Sequence, residues 1–155
     1  MYNVREQGRS SIWFARIAVL AVFVVNVQCA ISFIVAPEAH MASYALSGQS
    51  GIVVMRSIGI TFLMWNATYP AVIWNPSRNR TVYIIVLVQQ VIGLIGESLL
   101  CISVMGQSDV LVSSLLRFII FDGCGLVLMA IGFVLVSRIP EQRLGIGYVD
   151  LTPRR

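Results

Sequence analysis

The sequence predicts an all-α integral membrane protein, a four-helix up-down bundle with a short interfacial helix between its first and second spans. Three observations carry that expectation. Of 155 residues, 57% are apolar and only 12% are charged, with a mean hydropathy of +0.83; water-facing domains carry about 25% charge. The apolar residues gather into four runs, 17–35, 51–74, 81–105 and 110–136, and about 20 helical residues cross a hydrocarbon core of about 30 Å. None of the runs alternates with period two, so helices rather than a closed barrel are the solution that lipid permits.

Each element has its own signal. Run 17–35 is uncharged and longer than the roughly 7–15 residues of a signal-peptide core, which predicts a retained helix. Segment 37–46 opens on Pro37, suited to a first helical position, and is followed by Ser47 and Gly48. It reads as a short helix along the outer interface, with Met41, Tyr44 and Ala45 toward lipid or bundle. The second run carries Arg56 near its start and Pro70 near its end. Proline lacks the amide that would meet the Asn66 carbonyl, so a kink is expected there. The third run contains Glu97, the fourth Arg117 and Asp122. Links 75–80 and 106–109 are short and predict antiparallel neighbours. The expected organisation is an N-terminal segment 1–16, a membrane domain 17–136 and a polar tail 137–155, without repeats or low-complexity stretches.

Charge sets the expected orientation. All eleven basic residues are arginine. Arg5, Arg9 and Arg16 precede the first run, Arg78 and Arg80 lie between the second and third, and Arg138, Arg143, Arg154 and Arg155 follow the fourth. The other two links carry no basic residue. By the positive-inside rule both termini fall on the cytoplasmic side of the membrane, with Trp13, Trp74 and Tyr83 at that interface. Nucleic-acid binding needs arginines clustered on a polar surface, and here they punctuate apolar runs instead.

Intramembrane charges are costly and usually pair inside a bundle. At about 1.5 Å per residue, Arg56 is expected within about 8 Å of the outer end of its span. Arg117 and Glu97 are expected about 10–12 Å in, and Asp122 near mid-depth. Two guanidinium groups and a carboxyl would then meet in one outer-leaflet layer. Deeper lie Asn26, Gln28, Asn66, Gln89 and Gln90. Gln90, Gly93 and Glu97 recur at i, i+3 and i+7 and share a helix face. This set (Asn26, Arg56, Asn66, Gln90, Glu97, Arg117 and Asp122) admits three readings: a structural ion-pair network, a pocket for an anionic or carbonyl-bearing headgroup, or a proton path.

Catalytic motifs are missing. His40, the single histidine, falls in an external link, which excludes a haem held between two membrane histidines. Cys29, Cys101 and Cys124 form no CxxC and read as buried thiols. No glycine-rich phosphate loop and no Walker lysine occurs. Ser57, Thr61, Ser113 and Ser114 read as hydroxyls bonded to their own helices.

Several of these features together resemble the DoxX-like superfamily of small four-helix bacterial membrane proteins. They are the Pro37-led short helix, Gly48 and Gly51 opening the second run, Arg56-Ser-Ile-Gly59, and Asn75-Pro76 before the third. The likeness spans roughly residues 17–100, and Leu63-Met-Trp-Asn66 and Gly96-Glu-Ser98 mark a separate subgroup within it. The resemblance implies a membrane subunit associated with quinone-linked oxidoreduction. From the residues themselves, the leading expectation is a non-catalytic accessory or scaffolding subunit whose polar pocket holds a lipid or quinone headgroup. The alternatives are a redox subunit, with Arg56 and Arg117 on quinone carbonyls and Glu97 relaying a proton, and an oligomeric proton-linked transporter. Expected partners are membrane lipid and further copies or a larger membrane complex, with no metal and no nucleic acid.

Overall fold

The structure, a computed structural model, describes residues 3–139. Among these residues every regular element is helical: α1 (Asn3–Val35), α2 (Glu38–Met41), a 3₁₀ turn (Ala42–Tyr44), α3 (Gly48–Asn66), α4 (Tyr69–Trp74), α5 (Arg80–Val104) and α6 (Asp109–Ser137). Four segments are long and apolar enough to cross a membrane: Gly8–Val35, Gly48–Trp74, Arg80–Val104 and Asp109–Ser137. These bounds lie close to the runs read from sequence, except that α1 starts well before residue 17 and carries Arg9 and Arg16 within one continuous helix. Nearly all of the expected tail 137–155 falls outside the described residues.

Local chemistry explains the boundaries. Pro70 takes an opening position of α4, where its missing amide costs nothing, and the second span breaks between Asn66 and Tyr69. The kink expected from sequence is thus a full interruption. Ser108 caps α6, its hydroxyl accepting from the Leu111 amide at 3.4 Å, with Asp109 in the first turn toward the positive end of the helix dipole. Pro37 precedes α2. Met41 is buried there and Tyr44 half-buried, so both face the bundle, while Ala45 is exposed in a left-handed turn with φ of 54°.

α1 packs against α3, α4 and α6, while α5 packs against α6 and α4; α3 and α5 are not closely packed. Partner numbers run in opposite senses along neighbours. Asn26 meets Asn66 where Ile34 meets Arg56, and Tyr83 reaches Met129 where Gln90 reaches Asp122. Two apolar cores result. One gathers Ala15, Val19, Val22, Tyr69, Val72, Tyr83, Val86, Met129 and Val136. The other is Phe33, Met41 and Met55 with their half-buried neighbours. Between them, at mid-length of the helices, lie the polar side chains.

Helix contact at the second core depends on a missing side chain. A Cβ on Gly59 would stand 2.7 Å from the Ala30 carbonyl oxygen and 3.1 Å from the Phe33 Cβ. Backbone at that distance cannot swing away, so close approach of this kind selects glycine. Gly59→Ala is expected to cost about 1–3 kcal/mol through overpacking, read as a lower thermal midpoint in detergent. Gly96→Ala, with nothing within 4 Å of its added methyl, should leave the midpoint at or above the parent value.

Candidate functional site

The arginines behave as a group. Helix ends leave carbonyls without intrahelical partners, and cations are favoured at those negative ends. Arg56 Nε donates to the Ile34 carbonyl at 3.3 Å, near the end of α1. Arg16 Nη2 donates to the Trp74 carbonyl, the last of α4, at 2.5 Å. Arg80 Nη2 donates to the carbonyls of Val136 at 3.3 Å and Ile139 at 2.9 Å, at the end of α6. Arg117 Nη2 donates instead to the Ser114 hydroxyl at 3.3 Å, and that hydroxyl donates to the Ser43 carbonyl at 2.7 Å. Ser114 therefore ties α6 to the 3₁₀ turn.

This corrects the expected outer layer. Arg56 and Arg117 are both exposed and line no part of the polar cavity, and Glu97 Oε2 is buried without any hydrogen-bond partner. The reason is side-chain direction. Helical side chains lean toward the N terminus of their own helix. Arg56 and Arg117 therefore lean toward Gly48 and Asp109, the ends where their helices begin. On α5 the N terminus is Arg80, so Glu97 leans the other way, toward Asp122. Depth along the axis alone does not register this.

What does assemble is a cavity of about 40 Å³ bordered by every span. Asn26 comes from α1; Phe62, Trp65 and Asn66 from α3; Tyr69 from α4; Gln89, Gln90, Gly93 and Glu97 from α5; Phe118 and Asp122 from α6. Five of the seven residues singled out by sequence thus meet here. Gln90, Gly93 and Glu97 share a face as their spacing requires. The Glu97 and Asp122 carboxyls lie within side-chain hydrogen-bonding reach of each other. Asp122 Oδ2 is 3.5 Å from the point where a Gly93 Cβ would stand, so glycine leaves that wall open.

Amides and hydroxyls knit the floor. Tyr69 donates its phenol to Gln90 Oε1 at 3.0 Å, and Gln90 Nε2 donates to the Asp122 carbonyl at 3.4 Å. Asn66 Nδ2 donates to the Phe62 carbonyl at 2.8 Å while its Oδ1 accepts from Asn26 Nδ2 at 3.5 Å. Thr68 donates to Gln89 Oε1 at 3.1 Å. Beyond the spans, burial raises the Tyr44 phenol above the usual tyrosine range; Cys29 and Glu97 add to this and Arg117 opposes it.

The aromatic members Phe62, Trp65, Tyr69 and Phe118 did not stand out in sequence. Their signal was there: Phe62, Asn66 and Tyr69 step by four and three, and Phe118 and Asp122 by four. In spans this apolar, however, an aromatic at helical spacing carries no mark of its own. Gln28, by contrast, is exposed. His40 is half-buried, its Nε2 2.5 Å from the Ser32 hydroxyl and its ring edge-on to Phe33. Of the thiols Cys101 is buried, whereas Cys124 is exposed, contrary to expectation. No group of three or more metal-ligating side chains occurs among the described residues.

Fold and site together define a helical protein with four helices able to cross a membrane and a polar cavity at their mid-length. Comparison with known families, curated proteins and solved structures yields no match.

A double-mutant cycle in detergent separates the two charge arrangements. Glu97→Gln with Asp122→Asn is expected to show coupling of about 0.5–3 kcal/mol, as contacting residues do. Glu97→Gln with Arg117→Gln should add to within about 0.5 kcal/mol, as independent sites do.

Proposed function

We propose that the chain is a multi-pass protein of a bacterial cytoplasmic membrane. Its four apolar helices cross as an up-down bundle with both termini on the cytoplasmic face. Arginine placement supports this orientation, and the opposite numbering of paired neighbours supports the alternation. On this reading the interrupted second span is tolerated because Asn66, Thr68 and their partners lie against other helices rather than lipid.

Its functional centre, in this proposal, is the carboxyl–amide cavity, which holds the hydrogen-donating end of a membrane-dissolved molecule without transforming it. The observation that carries the reading is the buried Glu97 Oε2, which no N–H or hydroxyl of the protein meets, beside the Asp122 carboxyl in the lining of a space of about 40 Å³. Such a space admits a water or one small polar group, since a water needs only about 10–15 Å³. A ring is another matter: a cavity of about 150 Å³ is the scale that takes up benzene. That disparity, and the engagement of Arg56 and Arg117 elsewhere, gives a quinone-redox role less support than simple binding. The DoxX-like affiliation belongs to the same proposal, supported by the Pro37-led helix and by Gly59 at its close approach. A proton-linked transporter, acting as an oligomer, is the second reading, favoured by the adjacency of two carboxyls at mid-span.

Three experiments test this. With the native cysteines replaced, Gln49→Cys should react with an impermeant maleimide on intact cells, and Ser137→Cys only after permeabilisation; the reverse pattern overturns the topology. Mass spectrometry of the purified protein should find a stoichiometric hydroxyl- or amine-bearing molecule that Glu97→Gln/Asp122→Asn has lost. Parent protein that carries none removes the binding reading. Proton flux into liposomes that disappears in the same double variant would transfer the assignment to transport.

A further inference from the structure

Outside the polar cavity, a second void lies along the surface of α3. It is an open groove of about 410 Å³ lined by Val53, Val54, Ser57, Ile58, Thr61 and Phe62, all from α3. Its two hydroxyls are already engaged: Ser57 donates to the Val53 carbonyl and Thr61 to the Ser57 carbonyl, each at 2.9 Å. The lining is therefore apolar in effect. From Val53 to Phe62 the groove follows about 13 Å of helix.

Phe62 belongs to both voids. Its ring stands 6.1 Å from Phe33 and 6.3 Å from Phe118, centroid to centroid, and Phe118 also lines the cavity. Val53, Val54, Ser57 and Thr61 are exposed, so the groove lies open along the outside of the bundle. A small polar chamber thus adjoins a long apolar groove, with one aromatic side chain between them.

The chemistry of the chamber selects the head. Its charged members are two carboxyls, and Arg56 and Arg117 are engaged at Ile34 and Ser114. Phe62, Trp65, Tyr69 and Phe118 line it, and an aromatic ring that presents its face attracts a cation. An anionic or carbonyl head finds no cationic donor there. A hydroxyl satisfies one acceptor but brings no charge to the two carboxyls. A primary ammonium supplies three donors and the opposite charge in the volume of one small group.

We infer that the two voids form one site for a hydrophobic primary amine, its ammonium against Glu97 and Asp122 and its hydrocarbon in the α3 groove, entering from the lipid past Phe62. The inference rests on the cavity's being the binding centre and adds the ligand class and the route.

The test uses the full chain in nanodiscs with n-octylamine as probe, and n-octanol and octanoate as length-matched controls. Octylamine should saturate, raise the thermal midpoint and change tryptophan fluorescence through Trp65, at concentrations at least tenfold below octanol. Glu97→Gln should weaken octylamine at least tenfold and leave octanol unmoved. Thr61→Phe, which fills the exposed groove without touching the carboxyls, should also weaken it tenfold while preserving the Glu97–Asp122 coupling. Octanol matching octylamine overturns the ammonium assignment, and unchanged binding by Thr61→Phe overturns the groove. Failure of octylamine in protein that still carries a copurified molecule, lost on Glu97→Gln/Asp122→Asn, sinks this inference alone. Failure of both sinks the binding reading with it.

Discussion

Side chains on a helix lean toward its N terminus, and in this bundle that lean decides which charged groups meet. Glu97 and Asp122 sit on neighbours whose numbering runs in opposite senses, so the two carboxyls lean into the same space. Arg117 sits on the same helix as Asp122, yet it leans toward Ser114 and the 3₁₀ turn. The same bias carries Arg56 to Ile34. Cations leave the middle of the bundle, and the carboxyls remain there together.

The arginines acquire a common role from this. Arg16, Arg56 and Arg80 each reach the carbonyl end of a neighbouring helix, where unpaired acceptors concentrate. Long aliphatic stems let a guanidinium stand at such an end while its methylenes cover apolar surface. A lysine would make the same reach as a point charge with a more tightly held hydration shell. Arginine suits the three positions that serve as helix-end caps.

Polar groups at mid-length divide the interior into two apolar cores. Each core has its own close approach: Gly59 against Ala30 in one, Gly132 against Ala15 and the Tyr83 hydroxyl in the other. Between them the helices do not close. Beyond the interruption at Asn66–Tyr69, α4 packs against both α1 and α5, whereas α3 packs against α1. The cavity occupies the resulting gap. Its amides are bonded to one another or to neighbouring hydroxyls and backbone carbonyls, which leaves Glu97 Oε2 without an N–H or hydroxyl donor.

Composition and run length were enough to determine four membrane-length helices, the short Pro37-led helix and a distortion near Pro70, read as a kink where the helix in fact breaks, because hydrophobic length, proline chemistry and capping act within a few residues of chain. The shared face of Gln90, Gly93 and Glu97 was legible for the same reason. Arg56 and Arg117 were misplaced because axial depth was read without the lean of each side chain, and that lean has consequences only once neighbouring helices are set side by side. Tyr69, Trp65 and Phe118 could be assigned to the cavity only by tertiary structure, since aromatic residues in an apolar span look alike until packing decides which of them face a carboxyl. Which charges meet is a property of pairs of helices, and no single stretch of sequence contains a pair.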